Sequence, residues 1–93
     1  MRAVALEIAK TPVTINALCP GWVDTAMATA AIENIARTTG RSLEQARASL
    51  EKMSPQRRMI APEEVAEAAA MLCHPLTRSI HGQALPLDGG QLL

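Results

Sequence analysis

The 93-residue sequence contains no phenylalanine, no tyrosine and a single tryptophan, Trp22. Its hydrophobic fraction is nevertheless 48%, and alanine is its most frequent residue. This composition indicates a globular chain rather than a disordered one. Because large aromatic side chains are nearly absent, we expect helices that pack through small side chains around a marginal core. A chain of this length is expected to bury about 60 to 65% of its unfolded surface.

The sequence also lacks an excess of charge of either sign, since nine Lys and Arg balance nine Asp and Glu. Chains that bind nucleic acid usually carry a basic patch, so we expect no nucleic-acid partner. No apolar run approaches the roughly 18 residues that span a bilayer, and no charged-then-apolar leader is recognisable. We therefore expect a cytoplasmic protein without a membrane partner.

Cysteine is scarce too, with only Cys19 and Cys73 in the chain. Two cysteines far apart in sequence do not suggest a disulfide framework, and we expect both to be small buried hydrophobic side chains. Histidine is equally rare. Because Cys73, His74 and His81 lack the four-ligand spacing of a structural zinc site, we predict no metal site.

The apolar pattern predicts four helices and two short strands. A helix over residues 1–10 has no N-terminal cap, and its apolar face is already present at Met1. Periodicity and turn residues then predict a strand over 13–18, helices over 26–37 and 42–53, a helix from 61 to the His74-Pro75 stop, and a strand over 84–87. Strands joined by a helical crossover pair in parallel. The predicted fold is α/β, a piece of a doubly wound parallel sheet.

Caps and apolar stripes orient these elements. Pro20-Gly21 is expected to end the first strand, and Gly40 to end the helix that Asp24 or Thr25 caps. Ser42 and Gln45 form a capping-box pattern. The stripes expected to face the core are Met1, Val4 and Ile8; Met27, Ala30, Ala31 and Ile35; Leu43, Ala46, Leu50 and Met53; and Val65, Ala69 and Leu72.

Three motifs follow one another along the chain: VTINALCPGWVDT at 13–25, PEEVA at 62–66 and GQALPLDGG at 82–90. Taken alone, Pro20-Gly21 would only end a strand. In this order and approximate spacing, the motifs resemble the short-chain dehydrogenase/reductase family over essentially the whole chain. The family commonly has a small hydroxyl residue at His81 and Asn at Pro86. The resemblance implies the C-terminal part of a Rossmann-type sheet, forming a single partial domain over residues 1–93.

The resemblance also implies a cofactor site for NAD or NADP at the first strand end. Pro20 and Gly21 would let the backbone pass close to the nicotinamide, and the Val23 main chain would hydrogen-bond its carboxamide. A planar amide offers one donor and one acceptor, which a strand end can match. The Thr25 hydroxyl would contact the carboxamide or a phosphate oxygen, or would serve only as a helix cap.

Residues 26–57 resemble the family's substrate lid. Its Met and Ala stripe either covers an apolar substrate tail or packs on the sheet, and core packing is the expected role for most of it. Trp22 and Met27, nearest the turn, are the candidate substrate contacts. The TGRSLEQAR and MSPQRR runs resemble enzymes of 3-oxoacyl and 3-hydroxyacyl thioesters and of 3-hydroxybutyrate.

Several family features are missing from these 93 residues. The Gly-rich phosphate loop and the catalytic Ser, Tyr and Lys are absent, and the resemblance implies that Tyr and Lys lie upstream of Met1. We therefore expect an oxidoreductase segment that has no turnover alone and that belongs to a homo-oligomeric intact enzyme acting on a small molecule. The residues that distinguish NAD from NADP would lie in the missing half.

Two other classes stay open from the sequence. One is a non-enzymatic module, a truncated chain that associates with a full-length subunit through its strand edge and helix faces. The other is a helical interaction domain unrelated to dehydrogenases, which would require residues 13–18 to be helical.

Overall fold

A computed structural model describes residues 1–93, which form four α-helices and two short strands. The elements, in chain order, are α1 (Arg2–Ile8), β1 (Ala17–Pro20), α2 (Ala26–Thr39), α3 (Leu43–Glu51), α4 (Pro62–Leu72) and β2 (Ala84–Leu87), with a 3-10 turn at Pro75–Thr77 before β2. None of the helices combines the length and the apolar character that crossing a membrane requires.

The two strands pair in parallel, as the sequence predicts. The register runs from Ala17 opposite Ala84 to Pro20 opposite Leu87, and α2, α3 and α4 form the connection between the strands. The predicted bounds of β2 are confirmed. Pro86, opposite Cys19, fits because each strand of a two-stranded sheet is an edge strand.

The predicted bounds of the first strand were wrong, because the ladder starts at Ala17 and includes Pro20. Residues just before Ala17 are bound by the loop that precedes β2 instead. The Ile15 N–H donates to Nδ1 of His81 at 3.3 Å, and the Gly82 N–H donates to the Ile15 carbonyl at 2.8 Å. Since His81 accepts at Nδ1, its Nε2 carries the proton and donates to the Ala5 carbonyl at 2.6 Å. One imidazole therefore joins α1, the approach to β1 and the approach to β2.

Local signals place the ends of α2 and α3. The α2 helix ends at Gly40, which has φ 72° and whose N–H donates to the Ala36 carbonyl. The predicted capping box is present at α3: the Gln45 N–H donates to the Ser42 hydroxyl, and the Ser42 N–H donates to the Gln45 side chain, both at 3.1 Å. These two ends confirm the predicted start of α3 and the glycine stop before it.

The core lies between α2 and α3 and consists of Ala28, Ile32, Ala46, Leu50 and Met59. Of the stripes predicted from sequence, Ala46 and Leu50 are buried. In α2 the prediction was partly wrong: Ala31 and Ile35 pack against the core as predicted, but the buried residues are Ala28 and Ile32, and Met27 is 78% exposed. The remaining predicted members that lie exposed are Met1, Val4, Ala30, Leu43, Met53 and Ala69.

The chain buries little of its surface. It exposes 6687 Å², whereas an independent protein of this mass exposes about 5,200 Å². Its radius of gyration is 16.9 Å, against about 12 Å for a compact domain. The expected burial of about 60 to 65% was therefore too high. Cys19 and Cys73 are exposed, so the prediction that they are buried was wrong as well. The small side chains of four helices and two short strands do not cover these two cysteines.

We predict that Gly89→Ala destabilises the chain more than Gly40→Ala. Both glycines have positive φ, 64° and 72°, where a residue with a Cβ loses about 1 to 2 kcal/mol. At Gly40 an added Cβ meets nothing within 4 Å, whereas at Gly89 it overlaps the Ser54 hydroxyl. Urea unfolding should show a loss of about 3 kcal/mol for Gly89→Ala, and equal losses for the two variants would contradict this packing.

Candidate functional site

The turn that follows β1 is held on one side by the segment before α4. Beyond the ladder, the Ile60 N–H donates to the Trp22 carbonyl at 2.9 Å, and the Asp24 N–H donates to the Ile60 carbonyl at 2.8 Å. These two bonds make an isolated parallel bridge between Val23 and Ile60. Parallel backbone pairing therefore continues beyond Gly21, with Ile60 as the new partner of Val23.

The bridge leaves the main chain of Val23 pointing the other way. In a parallel pairing, the groups of Trp22 and Asp24 that face Ile60 alternate with those of Val23, which face away. The Val23 N–H donates to no group of the chain, and its carbonyl accepts only the Thr25 hydroxyl at 3.3 Å. Val23 thus presents one donor and one acceptor side by side.

The six residues that the sequence singled out line one cavity. Its volume is about 650 Å³, and its wall is largely apolar. The lining residues are Pro20, Gly21, Trp22, Val23, Thr25 and Met27 from the turn and the start of α2, with Ala28, Pro62, Val65 and Gln91. A pocket of this size with a few polar groups is typical of a small-molecule site.

Thr25 precedes α2 but does not cap it with its side chain. It occupies the N-cap position with extended backbone, and its hydroxyl donates to the Val23 carbonyl rather than accepting from the first helical turn. Thr25 is therefore the N-cap residue by its backbone, one of the two candidates predicted, but its side chain does not supply a cap bond. The hydroxyl oxygen keeps its lone pairs, and the first N–H groups of α2 have no side-chain cap.

Gly21 lies close to Asp88, the residue that follows β2. Its N–H donates to the Leu87 carbonyl at 3.1 Å, and an added Cβ would lie 3.2 Å from the Asp88 Cβ and 3.3 Å from the Asp88 Cα. The absence of a side chain therefore lets the turns after β1 and β2 pack together. This packing and the free Val23 amide fit a planar carboxamide, such as that of a nicotinamide, beside the cavity.

Two ion pairs flank the turn. Arg47 of α3 binds the Asp24 carboxylate at 3.1 Å, and the hydrogen bond that its guanidinium donates to Asp24 raises the pKa of Arg47 above its usual value. On the other side, Arg58 holds both oxygens of Glu64, at 2.7 and 2.8 Å. This hydrogen bonding and the Ala61 N–H lower the pKa of Glu64 to about 2.

We predict that Glu64 titrates at about 2 and that Arg58→Gln moves its pKa upward, because the guanidinium hydrogen bonds are lost. Since the folded-state pKa is lowered, the pair's contribution to stability is complete above the unfolded value of 4.5 and is lost as the pH falls through about 2. Carboxyl ¹³C NMR measures the titration of Glu64, and Glu63→Gln, which leaves both partners of the ion pair in place, is the control variant. An unchanged Glu64 pKa in Arg58→Gln would contradict the assignment.

The other polar side chains do not form a second centre. No three His, Cys, Asp or Glu side chains come close enough together to hold a metal ion. Cys73 and His74 line a separate cavity between α4 and the segment that precedes β1, with Thr14 and Asn16. His81 instead has the structural hydrogen bonds to Ala5 and Ile15 described above.

A family model described as enoyl-(acyl carrier protein) reductase matches residues 1–91. A solved short-chain dehydrogenase family protein from Francisella tularensis superposes with a TM-score of 0.92 and 33% identity, covering 98% of this chain and 38% of that one. The chain belongs to the short-chain dehydrogenase/reductase family. The predicted family and the Rossmann-type α/β fold are thus confirmed.

Three curated proteins are similar in sequence to most of this chain. MoaE of Klebsiella aerogenes is 40% identical over 90 residues, a putative ketoacyl reductase of Streptomyces coelicolor 38% over 89, and a D-beta-hydroxybutyrate dehydrogenase of Cupriavidus necator 36% over 90. These matches cover 96 to 97% of this chain. The chain spans about a third of the length of these curated relatives, 34 to 35%.

The cofactor of the family appears in one of the solved structures. Actinorhodin polyketide ketoreductase, determined with NADPH, superposes with a TM-score of 0.88 and 39% identity, covering 97% of this chain and 34% of that one. Intact members of the family use NAD(P), as the sequence predicts.

Sequence reasoning missed the opposite wall of the cavity. Val65 was expected in the buried stripe of α4, and Pro62 and Gln91 were assigned no role in a site, yet all three line the cavity. Ile60, whose backbone holds Val23 in place, carried no motif. No local signal in the sequence reports these contacts, because each joins segments more than 30 residues apart.

Proposed function

We propose that the chain carries the nicotinamide-facing turn of an NAD(P)-dependent oxidoreductase that interconverts a carbonyl and a secondary alcohol. The observation that supports this most directly is Val23, whose N–H and carbonyl face away from the bridge to Ile60. The cavity beside them is about 650 Å³ and is lined mostly by apolar residues. When bound, the cofactor supplies or accepts the hydride.

The residues of the turn bind and orient in this proposal. The Val23 N–H would donate to the carboxamide oxygen of the nicotinamide, and the Val23 carbonyl would accept from the carboxamide NH₂. One donor and one acceptor from the same residue fix which face of the ring is turned toward the substrate. Thr25 contributes its hydroxyl next to the Val23 carbonyl, and Pro20 and Gly21 leave the space that a flat ring needs.

Residues 26–57 form the substrate lid in this proposal, with Trp22 and Met27 as the substrate contacts. Trp22 packs partly against the core of α2 and α3, so its ring is held in place at the cavity wall. Met27 is 78% exposed at the same wall. An unbranched, exposed side chain at a cavity mouth suits contact with an apolar substrate tail.

We propose a 3-oxoacyl or 3-hydroxyacyl type of substrate. The names of two relatives support this class, a putative ketoacyl reductase and a D-beta-hydroxybutyrate dehydrogenase. Both names describe an oxygen function on an acyl chain, and an apolar wall with few polar groups is compatible with such a chain.

The 93 residues alone are proposed to show no turnover. They contain no tyrosine, whose hydroxyl is the general acid or base that the family resemblance implies. The intact enzyme is proposed to be a homo-oligomer. The alternative, a non-enzymatic module that associates with a full-length subunit, is supported by the small buried core and by exposed Val4, Leu6 and Val13.

The proposal is tested with a chimera in which this chain replaces the matched segment of the putative ketoacyl reductase of Streptomyces coelicolor. We predict that the chimera oxidises NADPH when acetoacetyl-coenzyme A is added, whereas the 93-residue chain shows no rate above background. A folded chimera without activity, or turnover by the isolated chain, would contradict the proposal.

Within the chimera, we predict that Thr25→Val raises the KM for NADPH about fivefold, the effect of losing one hydroxyl hydrogen bond. Thr29→Val is the matched control, since the Thr29 hydroxyl donates only to the Thr25 carbonyl and lies outside the cavity. Steady-state kinetics at saturating acyl substrate measures both. Equal KM values for the two variants would contradict a role of the Thr25 hydroxyl in cofactor binding.

A further inference from the structure

Ile60 connects the turn after β1 to an ion pair that does not touch the cavity. Its flanking peptide units make the two bridge bonds: the Ile60 N–H donates to the Trp22 carbonyl, and the Ile60 carbonyl accepts from the Asp24 N–H. Each peptide unit has a second polar group at its other end. These are the carbonyl of Met59 and the N–H of Ala61.

Arg58 and Glu64 bind those two outer groups. Nη1 of Arg58 donates to the Met59 carbonyl at 3.3 Å, and Oε2 of Glu64 accepts from the Ala61 N–H at 2.7 Å. The same two side chains bind each other through the two terminal guanidinium nitrogens, Nη1 and Nη2, and both carboxylate oxygens. The ion pair therefore holds both peptide units of Ile60 from the side opposite the bridge.

We propose that Arg58 and Glu64 are positioning residues for cofactor binding, acting through Ile60 to fix the direction of the Val23 N–H and carbonyl. This inference rests on the proposed function of Val23. Neither Arg58 nor Glu64 lines the cavity at Val23, so neither is a candidate for contact with the nicotinamide.

The geometry explains how the exposed Arg58–Glu64 ion pair can fix the bridge between Val23 and Ile60. Solvent-exposed ion pairs contribute little to global stability, and these side chains are 47% and 41% exposed. A bidentate pair has defined geometry, however, and fixes the groups that it binds. Its effect is therefore local, confined to the segment from Arg58 to Glu64 and to the bridge.

Hydrogen exchange in the 93-residue chain tests the positioning step without any cofactor. We expect Arg58→Gln and Glu64→Gln each to accelerate exchange of the Asp24 and Ile60 amides about fivefold, because opening of the bridge becomes easier. Exchange at Ile32 and Leu50 in the core should stay within about twofold. Glu63→Gln is the matched control, since it removes the same charge from the same helical turn without touching Arg58.

Three results would overturn the inference. The first is exchange of the Asp24 and Ile60 amides at the wild-type rate in both variants. The second is an acceleration at these amides no larger than that at Ile32 and Leu50. The third is a lack of protection of these amides in the wild-type chain. A role restricted to capping α4 is distinguishable, because it changes the amides of the first turn of α4 and leaves Asp24 unchanged.

The chimeric reductase gives a second readout. There we expect Glu64→Gln to raise the KM for NADPH about fivefold with kcat within about twofold, as for a loss of uniform binding. If Glu64 had only a structural role, Glu64→Gln would lower the fraction of active enzyme and leave the KM for NADPH unchanged. That result would contradict the positioning role. An inactive chimera overturns the proposed function, while the exchange experiment still decides whether the pair controls the bridge.

Discussion

The two hydrogen bonds between Ile60 and the segment from Trp22 to Asp24 are the constraint on which the site depends. They are short, 2.8 and 2.9 Å, and they join residues more than 35 positions apart. Because main-chain groups alternate along a strand, fixing Trp22 and Asp24 toward Ile60 turns the N–H and carbonyl of Val23 away from Ile60, and Val23 is one of the residues that line the cavity. The donor and acceptor at the site thus follow from the pairing of the backbone, not from the identity of a side chain.

The rest of the chain supports this turn from three directions. The β1–β2 ladder ends at Gly21 and Leu87 and brings the two strand ends together. Arg47 of α3 binds the Asp24 carboxylate, while the Arg58–Glu64 pair lies behind Ile60. The chain has a small core and much exposed surface, yet the turn is fixed by contacts with β2, α3 and the segment before α4.

What the sequence predicted correctly has a local physical cause. Gly40, Ser42 with Gln45, and Pro62 each end or start a helix through contacts with near neighbours, and all three were placed correctly. The motif of 20–27 predicted six residues that line one cavity. The errors came from long-range contacts. The start of β1 shifted because His81 and Gly82 bind Ile15, and the burial of Met27 failed because the position of α3 decides which face of α2 is covered.

The most direct test follows the Val23 amide itself, by ¹⁵N NMR of the chimeric reductase that carries this chain. The account predicts that NADPH moves the Val23 N–H resonance downfield, the sign of a new hydrogen bond. It also predicts that 2′-phospho-ADP-ribose, which lacks the nicotinamide ring, leaves that resonance in place. A Val23 resonance that responds equally to both ligands, or to neither at saturation, would contradict the assignment of this turn to the nicotinamide.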